Sequence, residues 1–232
     1  TGSNDRPDIR VETVKGDSNS ISFSENDAAI ADGTAGGTLT LTDVDVSDEV
    51  GVTVDKVEID GSSTYNGDLP AGLEAALKDM LSVDPGDILS NTETSKQFDW
   101  KFDSGDGHEF DFLAEGETLT LKYTVKADDK KGIADNISDP YNEMSTDTHE
   151  ITVTINGTND APVVSLGTGD AANGSVTETD ASHLTVSDTL TVTDADISDT
   201  VSTTVALKNV EGSGSITGNI PSDQELLGMF TA

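Results

Sequence analysis

Asp43 with Asp45 and Asp194 with Asp196 form two Asp-x-Asp pairs, set in the matching contexts Thr42-Asp43-Val44-Asp45 and Thr193-Asp194-Ala195-Asp196. Side chains two apart on an extended segment point to one face, so each pair delivers two carboxylates to the same side of a strand end. That donor set suits a hard cation: Ca2+ takes about six to eight oxygens, from carboxylates, Asn side chains and backbone carbonyls. Asp128-Asp129 follows a strand expected to end at Val125 and is a third place where carboxylates gather beyond a sheet. The heptad Asn156-Gly157-Thr158-Asn159-Asp160-Ala161-Pro162 is oxygen-rich and closed by proline, and Thr1-Gly2-Ser3-Asn4-Asp5-Arg6-Pro7 repeats it in altered form. The two heptads read as hinges between tandem domains, with Asn4, Asp5, Asn156, Asn159 and Asp160 as further oxygen donors. Converging carboxylates repel unless a cation lies between them; the competing reading is that all are solvated turn residues.

Other chemistry is weakly represented. Residues 103–109, Asp-Ser-Gly-Asp-Gly-His-Glu, have some flavour of a calcium loop but lack its ladder of alternating ligands, and a hairpin turn explains them better. His108, His149 and His183 are scattered, without a His-x-x-x-His pair or a cysteine. Neither a nucleophile elbow nor a phosphate loop occurs, and an enzyme is not expected. Trp100 alternates with Phe98 and Phe102 and reads as core rather than as a platform for sugar.

The chain has 232 residues, with 45 Asp plus Glu against 12 Lys plus Arg, for a formal charge of -33. Such a surface repels a phosphate backbone, so nucleic acid is excluded as a partner. It also repels itself unless counter-ions neutralise it. Adaptation to a salty medium and clustered cation sites both account for acidity, and both scattered and clustered carboxylates occur. The absence of cysteine removes disulfides and zinc-thiolate sites. No apolar run is long enough to span a bilayer, and with no secretion signal at its start the chain reads as an excerpt of something longer.

The elements that would position these carboxylates come in two copies. Residues 37–48 return as 188–199, an offset of 151; 24–27 return as 177–180; and Gly67-Asp68-Leu69-Pro70 returns as Gly218-Asn219-Ile220-Pro221. The organisation expected is a linker from a preceding repeat over 1–7, a complete repeat over 8–157, a linker over 158–162, and the first part of a second, truncated repeat over 163–232. Segments 21–24, 38–42, 52–59, 98–102, 118–125 and 149–155 alternate apolar with polar residues, the signature of half-buried strands. Short strands separated by Gly, Asp and Asn clusters predict an all-β, antiparallel immunoglobulin-like sandwich. The spacing of Leu73, Leu77, Met80 and Leu81 predicts a short inserted helix over 70–83, and Ser222 with Glu225 forms a capping box in the second copy.

Ser24-Glu25-Asn26, Gly37-Thr38 and Thr42-Asp43-Val44-Asp45 together resemble the first part of a cadherin repeat, and Lys126-Ala127-Asp128 resembles that family's later strand end. Residues 151–163, Ile-Thr-Val-Thr-Ile-Asn-Gly-Thr-Asn-Asp-Ala-Pro-Val, together with 110–121, are similar to the VCBS repeats of large bacterial RTX-type adhesins. The resemblance implies a tandem cadherin-like array with calcium at its hinges. At one hinge it implies Asn156, Asn159 and Asp160 with Glu25 and Glu117 from the domain before and Asp194 and Asp196 from the domain after. At the other it implies Asn4 and Asp5 with Asp43, Asp45 and Asp128. Asn156 and Asn159-Asp160 depart from the cadherin linker's Asp and Asp-Asn, and Ala114 breaks its Asp-x-Glu pair. The function implied is an extracellular, calcium-stiffened spacer in a cell-surface or biofilm adhesin. Its immediate partners would be neighbouring repeats, with host or biofilm surfaces met by other domains of the parent. A carbohydrate-binding adhesion module and an accessory domain of a secreted hydrolase are the alternatives.

Overall fold

The computed structural model describes residues 4–26, 28–105, 108–131, 145–177, 179, 183–209, 211 and 221–230. Glu178, Asp180, 106–107 and 218–220, which the repeat and loop readings invoke, lie outside them. The chain forms two compact units, 1–198 and 199–232.

The first unit holds an all-β sandwich. One sheet has β1 (Asp8–Arg10), β3 (Ala35–Thr42), β7 (Ser95–Phe102) and β5 (Leu81–Val83) in that order. The facing sheet runs β2 (Ser20–Ser24), β9 (Thr146–Asn156), β8 (Thr118–Asp128), β4 (Val50–Ile59) and β6 (Asp87–Leu89). All six segments expected from alternation are strands. Pairing is antiparallel except that β2 lies parallel to β9, Ser20 opposite Thr152 and Ser24 opposite Asn156. That pair brings the start of the domain beside its last strand, and so places Glu25 against the linker.

Alternation decides what fills the space between the sheets. Leu39 and Leu41 on β3 and Phe98, Trp100 and Phe102 on β7 meet Leu119, Leu121, Tyr123 and Val125 on β8 and Ile151, Val153 and Ile155 on β9, all essentially inaccessible. Burying side chains of this size stabilises by roughly 1.5–3 kcal/mol each. Trp100 lies in this core, its Nε1 donating to the Ser18 carbonyl at 2.8 Å.

The helical insertion is shorter than its apolar spacing predicts. A single turn, α1 (Leu73–Ala76), passes into a 3-10 turn over Leu77–Met80, and Leu81 opens β5. Leu73, Leu77, Met80 and Leu81 are nevertheless all buried. Two of these anchor the insertion differently from a continuous helix: the Leu77 carbonyl accepts a hydrogen bond from the Tyr123 hydroxyl at 2.6 Å, and Leu81 pairs with Phe102.

Beyond the linker, β10 (Val163–Ser165) pairs with β11 (Thr191–Thr193), Val163 opposite Thr193. This reproduces the β1–β3 pairing, in which Asp8 lies opposite Thr42. The environment differs: Ile9 is 3% exposed, whereas its counterpart Val164 is 60% exposed. Among the described residues there is no counterpart of β7 or β8 to cover it. In the second unit Ser222 Oγ accepts from Glu225 N at 3.3 Å and Glu225 Oε2 accepts from Ser222 N at 2.8 Å, the expected capping box, at the start of a helix over Asp223–Leu227.

Candidate metal centre

The inward parity of β8, set by Leu121, Tyr123, Val125 and Ala127, carries on past the strand end to Asp129, which is 1% exposed. The turn after β3 supplies two more acids. Asp43 N donates to the Thr94 carbonyl, Asp43 Oδ1 accepts from Asp45 N at 2.8 Å, and Asp48 N donates to the Asp45 carbonyl at 3.0 Å. This coil buries Asp43 and Asp48 together. One carboxylate oxygen from each of Asp43, Asp48 and Asp129 lies within 4.8 Å of the others.

Asp43 Oδ2 and Asp48 Oδ2 are buried without a hydrogen-bond partner, an arrangement that costs free energy unless something positive meets them. The remaining oxygens are engaged. Asp129 Oδ2 accepts from Asn4 Nδ2 and Asp129 Oδ1 from Lys131 N, at 2.8 and 2.9 Å. Asp48 Oδ1 takes the Ser47 hydroxyl at 3.0 Å and the Lys131 ammonium at 3.0 Å. Burial pushes the Asp43 carboxyl above its ordinary range, and the charges of Asp48, Asp45 and Asp129 push it further, against the hydrogen bond from Asp45 N. Oxygen donors of like charge, partly unsatisfied and withdrawn from water, fit a hard divalent cation such as Ca2+.

The linker following the sandwich is docked by related contacts. Glu25 is 2% exposed, and its Oε1 accepts from Thr158 N and Thr158 Oγ, each at 2.7 Å. Asp160 N donates to Asp196 Oδ2 at 2.8 Å, and Asp196 N donates to Asp194 Oδ1 at 3.2 Å. Burial raises the Glu25 carboxyl, opposed by both Thr158 hydrogen bonds and reinforced by the charges of Asp160 and Asp111.

The first linker repeats this docking: Asp5 N donates to Asp45 Oδ2 at 2.6 Å. A second equivalence lies a few residues further along each copy. Asp17 accepts from the hydroxyls of Thr38 and Thr40 and from Glu12 N, and Asp170 accepts from those of Thr189 and Thr191 and from Gly167 N. The sequence repeat is therefore a repeat of hydrogen-bonded structure.

The expected residues fall into three groups. Asp43 and Asn4 lie at the triad, and Asp5 and Asp45 dock the linker beside it. Glu25, Asp160, Asp194 and Asp196 gather at the second linker. Asp128, Glu117, Asn156 and Asn159 each make bonds through one polar atom: Asp128 Oδ1 accepts from Lys130 N, Glu117 Oε2 from Ala114 N, Asn156 Nδ2 donates to Ser22 Oγ and the Phe23 carbonyl, and Asn159 Nδ2 donates to the Asp160 carbonyl. Sequence reasoning missed Asp48, Asp129 as the inward acid, and Asp111, whose Oδ2 lies 2.7 Å from His108 Nδ1. Strand parity was the available signal for Asp129.

Comparison with known proteins finds no matching family model and no matching curated protein. Among solved structures, the ASH/PapD-like domain 7 of human CEP192 is similar at 11% identity over 66% of this chain and 86% of that one, with a TM-score of 0.34. WR4, a C. elegans MSP family member, is similar at 10% identity over 66% and 98%, with a TM-score of 0.25.

Proposed function

We propose that the chain is a calcium-binding structural spacer, a repeat of the kind found in large bacterial extracellular adhesins, whose acidic linkers stiffen a tandem array when they take up the ion. The reading rests chiefly on one observation: two sequence-equivalent linkers dock by the same backbone bond, Asp5 to Asp45 and Asp160 to Asp196, and the first lies beside three buried acids, two of which, Asp43 and Asp48, retain an unpartnered oxygen. Asp43, Asp48 and Asp129 would hold the ion at the first linker. Glu25 and the Asp194–Asp196 pair, with Asp160 and Asp111 close enough to repel Glu25, are the acids around the second. The repeat boundaries are proposed at 8–157 and 163–232, joined by 158–162.

Binding of the ion to the folded state alone raises stability by mass action and removes the repulsion within each cluster. Expected outcomes are a higher thermal midpoint in millimolar Ca2+ and a longer, narrower distribution of solution dimensions by small-angle scattering, both reversed by chelator. Indifference of both to calcium overturns the proposal. The carbohydrate-binding alternative loses Trp100 as an aromatic platform, since that ring is 0% exposed.

A further inference from the structure

Lys130 and Lys131 follow Asp128-Asp129 directly, and the turn they form sends their ammonium groups to different places. Asp128 Oδ1 accepts from Lys130 N and Asp129 Oδ1 from Lys131 N, while Lys130 adopts a left-handed φ of 58°. Short side chains that bond the backbone two residues on set such turns. Lys130 pairs with Asp87, which is not one of the three acids. Lys131 pairs with Asp48, whose carboxylate is 2% exposed while the lysine side chain is 44% exposed. The lysine therefore reaches a buried acid from the solvent side and touches two members of the triad, Asp129 through its backbone and Asp48 through its ammonium.

We propose that Lys131 is a tethered counter-ion for the Asp43, Asp48 and Asp129 site, competing with a divalent cation for Asp48 so that metal binding displaces it. The proposal rests on the reading of that triad as a metal site. With no metal, the ammonium offsets part of the repulsion among three buried carboxylates and keeps the turn after β3 joined to the end of β8. A divalent ion taking Asp48 Oδ2 would stand on the same carboxylate as the lysine, and like charges at that separation repel strongly in a partly buried site. The long, half-exposed stem lets the ammonium swing into water without disturbing the fold. The consequence is a site that tolerates the metal-free state and fills only where free cation is plentiful.

Isothermal titration of the full chain with CaCl2 tests this, using K131M, K131R and D43N, with K130M as the control for loss of a neighbouring charge. K131M is expected to bind the triad ion about tenfold more tightly at low salt, the gain shrinking as ionic strength rises, and to unfold at lower temperature in chelator. K131R and K130M are expected to keep the affinity of the parent chain. An unchanged number of bound ions in D43N overturns the metal site and this proposal with it. Loss of one ion in D43N, together with unaltered affinity in K131M, overturns the role of Lys131 alone.

Discussion

Thr158 grips Glu25 twice, its backbone N–H and its hydroxyl each 2.7 Å from Oε1. A carboxylate that is 2% exposed and accepts two bonds from one linker residue fixes the path of the chain as it leaves β9, before any ion is considered. Thr158→Val keeps the shape and the N–H and removes the hydroxyl. Hydrogen bonds to charged groups contribute about 1.5–3 kcal/mol, and a loss of that size is expected in urea unfolding with chelator present. The same substitution should speed proteolysis within 158–162.

Gly157 sits where the chain leaving β9 crosses the turn between Phe112 and Glu117. Its N–H donates to the Glu117 carbonyl at 2.9 Å, and a Cβ built on it would collide with the backbone oxygens of Leu113 and Ala114. Backbone oxygens cannot swing aside as a flexible side chain can. Gly157→Ala is expected to lift the chain from this turn at a cost of about 1–3 kcal/mol, read as a lower thermal midpoint and weakened protection of the amide at position 157 in hydrogen exchange.

Six strands were legible because their side chains alternate between the core and the surface, and alternation is a strong local signal. The short strands β1, β5 and β6 were not, since three residues carry too little pattern. Leu81 shows the limit of spacing: it continues the helical stripe of Leu73 and Leu77 yet belongs to β5, because pairing with Phe102 outweighs a further helical turn. At the site, the repeated heptads and both Asp-x-Asp pairs were legible, and Asp5 N to Asp45 and Asp160 N to Asp196 are equivalent bonds in the structure. Family likeness pointed to Asp128, whereas the acid on the inward parity of Leu121, Tyr123 and Val125, and the one buried beside Asp43 and Asp48, is Asp129. Asp48 and Asp111 were not legible, because each reaches its cluster through the closure of a turn that no periodicity encodes.

The Tyr123 hydroxyl ties the inserted turn to the core. Tyr123 is 0% exposed, burial holds its phenol well above the ordinary range, and its O–H donates to the Leu77 carbonyl at 2.6 Å. Tyr123→Phe retains the ring and its edge contact with Phe102 but withdraws the donor. The expected cost is about 1–3 kcal/mol in urea unfolding, with local exchange rising over 73–80 more than on β9.

Two kinds of buried carboxylate give the metal-free chain opposing responses to acid. For Asp17, burial raises the carboxyl, but hydrogen bonds from Thr40, Glu12 N, Gln97 and Thr38 outweigh it, and the net direction is down. Its contribution is present above the unfolded value of about 3.9 and is lost as pH falls through the lower folded value. Glu25 and Asp43 are displaced upward, so their ionised forms destabilise the fold at neutral pH. Their protonation restores stability as pH falls from neutrality towards unfolded values of about 4.3 and 3.9. In chelator, the thermal midpoint should therefore rise on mild acidification and fall again only at more acid pH, once Asp17 is protonated. Saturating calcium should reverse the first limb, because protons then compete with the ion for the same oxygens. A midpoint that falls monotonically from pH 7 to pH 4 in chelator would show that Glu25 and Asp43 lack the repulsive surroundings described for them.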